Sequence, residues 1–156
     1  MGLKHTIMQG AVKILLERPG NAKRLDEWQT VLAAAGAALD QRAGAAKHPV
    51  HAGNVLRHIT GIERWGQRRL QAFLGSPAIT DEYDGYCPGA DLTLDEQRTC
   101  FHQARADTLS LVAALKAADN LPPTVSHNDF GPLSPRGWLR YLDMHANLES
   151  KKIASR

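Results

Sequence analysis

Apolar residues recur along this chain at intervals of three and four, the spacing that lays side chains along one face of an α-helix. Leu25, Trp28, Leu32, Ala35 and Leu39 form the first clean run. Asn21 stands before it as a capping residue, and Gly44 with residues 45–49 ends it. Pro49 opens a second helix. Its apolar stripe is Val55, Ile59, Ile62, Trp65 and Phe73, and His58 lies on that stripe. Arg57, Arg64, Gln67 and Arg68 take the other faces, and Gly75-Ser76-Pro77 closes the element. Thr93 followed by Glu96 has the spacing of a capping box and starts a third helix. Leu94, Phe101, Ala104, Thr108, Leu111 and Leu115 mark its face, and it ends near Asp119-Asn120. Ser134 and Pro135 start the fourth, whose inner positions are Trp138, Leu142, His145, Leu148 or Glu149, and Ile153.

Two stretches stand outside this pattern. Residues 3–17 carry a rough stripe (Ile7, Val12 or Ala11, Ile14, Leu15) that Arg18-Pro19-Gly20 stops, which predicts a lead-in helix or arm over residues 1–20. Residues 76–92 read as a long loop with turn signals at Asp84-Gly85 and Pro88-Gly89. A loop of this length is either the rim of a site or a plain surface crossover. No strand and no internal repeat stand out. Four helices with one apolar stripe each predict an all-α domain, a four-helix bundle with an antiparallel or crossover arrangement and a core at about residues 21–153. The 156 residues suffice for one such domain.

Composition narrows the partners. The chain is 43% hydrophobic and 22% charged, as soluble globular proteins are. Its net charge of +3 is small and its basic residues are scattered, which argues against nucleic acid as a partner. No export signal or membrane span is legible in the opening residues. Cys87 and Cys100, in no metal-ligand spacing, read as reduced thiols of a cytoplasmic protein.

The candidate chemistry lies in the polar groups within the apolar pattern. His145 and Glu149 are one helical turn apart and point the same way. His58 comes from the stripe of another helix. Two histidines and a carboxylate on facing helices form a ligand set suited to zinc or non-haem iron, with a position left for water or substrate. The competing reading is an exposed ion pair of Glu149 with Lys152 or Lys151. His5 and His48 lie in an arm and a loop. His102 sits beside the third stripe as a further, weaker ligand candidate.

The stretch HNDFGPLSPRGWLRYLDMHANLESKKI resembles the C-terminal signature of the DinB/YfiT-like superfamily, through His127, Phe130, Gly131, Leu133, Ser134 and Trp138. NVLRHITGIERWGQRRL is similar to that family's second helix, with His58 at its histidine position. EYDGYCPGADLTLDEQRTCFHQARADTLSLVAAL is similar to its loop and third helix. The resemblance implies a four-helix bundle, commonly a homodimer, holding a divalent metal through three histidines near one end. Carried over by position, His58 and His145 are ligands, and Glu149 stands at the third histidine's place. A glutamate adds negative charge and lowers the Lewis acidity of an ion. Lys152 replaces the family's usual glutamine, and an ammonium there repels a cation unless it turns to solvent.

The resemblance implies a metal-dependent enzyme, a thiol S-transferase or a hydrolase. Its zinc, nickel or iron would activate a water or a low-molecular-weight thiol such as bacillithiol or mycothiol. The expected partner is thus a small-molecule substrate. No residue stands out as a general base; Tyr83, Tyr86, His51 and Asp129 are rim candidates, and His127 reads as an anchor for the loop before the last helix. The alternative is a non-catalytic helical binding protein whose metal site is degenerate.

Overall fold

The computed structural model describes residue 8 and residues 10–154, and most of them are helical. Four long helices follow a lead-in segment: α1 (Leu25–Gly44), α2 (Pro49–Phe73), α3 (Leu94–Ala117) and α4 (Pro135–Ser150). Their starts satisfy the backbone N–H groups that a helix leaves without partners. Thr93 Oγ1 accepts from the Glu96 N–H, and the Glu96 carboxylate accepts from the Thr93 N–H. Ser134 Oγ accepts from the Gly137 N–H, with Pro135 in the first turn of α4.

The start of α1 differs from expectation. Its cap is Arg24, whose N–H donates to Glu27 Oε2 at 2.7 Å, not Asn21. Asn21 ends a helical turn (Arg18–Asn21), and its side chain donates back to Glu17. Pro19 lies inside a continuous helical run, in the turn that directly follows a stretch of π-helix, so Arg18-Pro19-Gly20 continues the lead-in helix rather than stopping it. Just before it, Lys13–Glu17 winds as a π-helix. That wider winding shifts the buried face to Val12 and Leu16 and leaves Ile14 and Leu15 exposed. Ile7, His5 and the rest of residues 3–7 lie outside the described residues.

α2 is the central element. It packs on α3 and α4, and α1 packs on the same two helices far more than on α2. One apolar cluster gathers Trp28, Leu32, Trp65, Leu115, Trp138 and Leu142. A second gathers Leu39, Leu56, Ile59, Phe101, Ala146 and Ile153. Each large apolar side chain fully removed from water contributes about 1.5–3 kcal/mol, before the cost of ordering the chain. Leu148 is 54% exposed, so the inward position at this turn belongs to Glu149.

Where α2 crosses α3 the core is polar. Arg105 Nε lies 2.9 Å from Glu63 Oε1, off the hydrogen-bond direction, and Arg105 Nη2 donates to Glu63 Oε2 at 3.1 Å. Thr108 Oγ1 donates to Glu63 Oε1, and Arg105 Nη1 donates to the Leu32 carbonyl. Gln67, expected on an outer face, is buried here and donates to the Ala104 carbonyl and Thr108 Oγ1. A buried ion pair is tolerated when its remaining donors and acceptors are met, as most are in this network.

The linker before α4 contains what the sequence pattern did not show: an antiparallel hairpin of β1 (Val125–His127) and β2 (Gly131–Leu133), with His127 opposite Gly131. Three residues per strand are too few to display alternation. Gly131 takes a positive φ of 73°, which a side chain would strain. The hairpin hangs on the core through Leu133, which is fully buried, and through Trp138 Nε1, which donates to the Val125 carbonyl.

Candidate metal centre

α2 and α4 run against each other so that His58 and His145 meet. Their Nε2 atoms stand 3.1 Å apart, and the rings lie 5.0 Å apart between centroids. Glu149, one turn beyond His145, completes a group whose ligand atoms all lie within 4.8 Å of one another. All three side chains are half-buried. Among the described residues, the three sequence-predicted ligands are thus brought together at one place.

Burial sets the protonation of the two rings. It pushes His145 down to about 4, helped by the neighbouring His58, and it also lowers His58. Both imidazoles are therefore neutral at pH 7 and carry a lone pair each. For Glu149 burial works the other way, but the hydrogen bond and charge of Lys152, with help from the two histidines, hold its carboxyl below the usual range. Lys152 Nζ donates to both carboxylate oxygens at 2.7 Å. The ion pair that competed with the metal reading is thus present as well, at the same residue.

The surrounding wall is aromatic. The Tyr83 ring meets His58 edge-on at 5.1 Å between centroids, placing one of the expected rim residues at the site. Tyr141 lies one turn before His145, with ring centroids 6.0 Å apart, and is 7% exposed. Burial pushes its phenol up to about 12. Tyr141 carried a legible signal: it shares the His145 face by its spacing of four. The other rim candidates fall elsewhere. Tyr86 donates to Asp81, and His51 Nε2 pairs with the Lys152 carbonyl at 2.9 Å. The Asp129 N–H donates to His127 Nδ1, which is a loop contact. His102 sits against Asp40, away from His58 and His145, so it adds no ligand to this group.

Two anchors hold the wall. His127 Nδ1 accepts from the Asp129 and Phe130 N–H groups, while its ring stacks on Trp138 and meets Tyr141 edge-on. That is the loop-anchoring role expected of it. Arg69, with a side chain 1% exposed, stacks over Trp65 and donates to Asp81 Oδ1 and to the Asp81 carbonyl. It thereby ties the 76–92 loop, which carries the Tyr83–Tyr86 turn, to α2.

Neither a family model, nor a curated protein, nor a solved structure matches this chain. No helix among the described residues is long and apolar enough to cross a membrane.

Proposed function

We propose that this protein is a divalent-metal-dependent enzyme of the thiol-transferase or hydrolase type, built as a four-helix bundle like those of the DinB/YfiT-like superfamily. The observation that carries the reading is the convergence of His58, His145 and Glu149. Two imidazole nitrogens on one zinc ion, each at about 2.0–2.1 Å, stand roughly 3–3.4 Å apart. The 3.1 Å between His58 Nε2 and His145 Nε2 fits that requirement without movement of either helix. The neutral state of both rings fits it too, since only an unprotonated nitrogen can be a ligand.

In this reading His58 and His145 hold the ion from two rigid helices, and Glu149 supplies the third ligand. A zinc, nickel or iron ion held there supplies a water or thiol made acidic near neutral pH. The Tyr83 ring and the Tyr141 phenol shape the wall beside it, and burial keeps the phenol protonated and able to donate. A small molecule, a low-molecular-weight thiol among the candidates, is the partner this chemistry suits. A homodimer accompanies the family resemblance, and a cytoplasmic setting accompanies the reading of Cys87 and Cys100 as reduced thiols.

The test is metal analysis of protein made without a histidine tag, followed by titration with Zn²⁺, Ni²⁺ and Fe²⁺. One equivalent bound by the native chain and lost in His58→Ala supports the reading. The second reading, a non-catalytic binding protein with a degenerate site, is favoured by one observation. The His58–His145 contact and the Glu149–Lys152 pair already satisfy one another. Absence of any stoichiometric metal, with His58→Ala unchanged in stability, would select it.

A further inference from the structure

Lys152 Nζ holds both oxygens of Glu149 at 2.7 Å, so the carboxylate expected to meet a metal already meets a cation from its own chain. The arrangement is built. Lys151–Ala154 form a 3₁₀ turn directly after α4, which places Lys152 three residues beyond Glu149. The turn is fixed from both sides. Its Lys152 carbonyl pairs with His51 Nε2 on α2, and its Ile153 side chain is 3% exposed within the second apolar cluster. The lysine side chain, by contrast, is 59% exposed. Its ammonium can therefore leave Glu149 by rotation about its own bonds while the backbone of the turn stays in place.

We propose that Lys152 is a built-in competitor for the metal site: its ammonium occupies the Glu149 carboxylate until a divalent cation displaces it. The inference rests on the metal reading of His58, His145 and Glu149. A bidentate ammonium and a metal ion draw on the same lone pairs. Close approach of a divalent charge to an ammonium also adds repulsion, which exposure to water reduces without removing. Together these terms raise the concentration of metal needed to load the site. They also favour ions that hold imidazole strongly, because His58 and His145 must supply the affinity that Glu149 withholds. The opposite role for the same lysine would be that of a partner which orients a metal-bound glutamate and tightens the site. The two roles predict opposite signs.

Calorimetric titration of Zn²⁺ and Ni²⁺ into untagged native protein, Lys152→Met and Lys151→Met decides between them. Methionine keeps the apolar stem of the side chain and removes the charged end, and Lys151→Met removes the same charge one residue away. Competition predicts about tenfold tighter binding for Lys152→Met and little change for Lys151→Met. It also predicts that added salt narrows the difference between native protein and Lys152→Met. Equal or weaker binding by Lys152→Met, with the native chain binding one ion, overturns competition and leaves the metal reading intact. Binding by Lys152→Met alone supports competition in its strongest form. Failure of both proteins to bind overturns both ideas, provided their thermal melts confirm that they are folded.

Discussion

His58 Nε2 and His145 Nε2 lie 3.1 Å apart, though 87 positions separate them along the chain. One proton suffices for a hydrogen bond between them, and a shared ion would take its place. His58→Phe and His145→Phe are each expected to lower metal affinity by about 100-fold or more, whereas Glu149→Gln costs about tenfold because its carboxylate is already engaged by Lys152. Equilibrium dialysis against a competing chelator measures these ratios.

Stability without metal should fall as the solution is acidified from about pH 6.5 to about pH 4. His127 is 4% exposed and burial pushes it down to about 4. A histidine lowered in the folded state binds fewer protons there than in the unfolded chain between those two values. Its contribution is therefore complete above the unfolded value near 6.5 and is lost as pH falls towards 4. The change is up to about 3 kcal/mol for this residue. Urea unfolding across that range checks it. His127→Asn retains an acceptor for the loop but cannot titrate, so the slope should flatten whatever its effect on overall stability.

Glu63→Ala should destabilise the protein by about 3–5 kcal/mol, because it strands the Arg105 guanidinium in the core with its charge uncompensated. Chemical denaturation reads the loss. A double variant, Glu63→Leu with Arg105→Met, should recover much of it. If the double variant is as unstable as the single, the ion pair itself is not the reason for the loss.

Arg69→Ala should loosen the 76–92 loop around Asp81 without unfolding the helices, since it removes two of the α2 hydrogen bonds to Asp81 and leaves the one from Trp65 Nε1. Hydrogen exchange at residues 80–87 is expected to speed up while exchange within α3 stays slow. Equal change in both would mean that Arg69 supports the whole fold.

The four helices were legible because their stripes and start signals agree. Thr93 with Glu96 and Ser134 with Pro135 act in the structure as their spacing predicts. The meeting of His58 with His145 and Glu149 was legible from the same periodicity, since one turn joins the last two and all three face inward. Other features were hidden by non-local causes. The π-helical winding that turns Ile14 and Leu15 outward leaves no mark in the residue pattern. Gln67 reads as taking an outer face because a polar side chain in a core is intelligible only with its partners, and those lie on another helix. Leu148 and Glu149 compete for one inward position, and hydrophobicity alone favours the wrong one.

The start of α4 carries one more consequence. The Ser134 N–H donates to Glu17 Oε1, a partner 117 residues earlier, and Gly20 backs so closely onto the Arg136 carbonyl that an added Cβ would lie 2.6 Å from it. The helix that bears His145 and Glu149 is thus seated on the lead-in segment as well as on α2. Contacts this distant along the chain form slowly, because a long loop must close before they contribute anything. During refolding, α1, α2 and α3 can develop their helices and much of their mutual packing while His58 still lacks its counterpart. The docking of α4 is then the step that creates the His58–His145 contact, so the appearance of the site should track the slowest phase of folding rather than the first gain of helix.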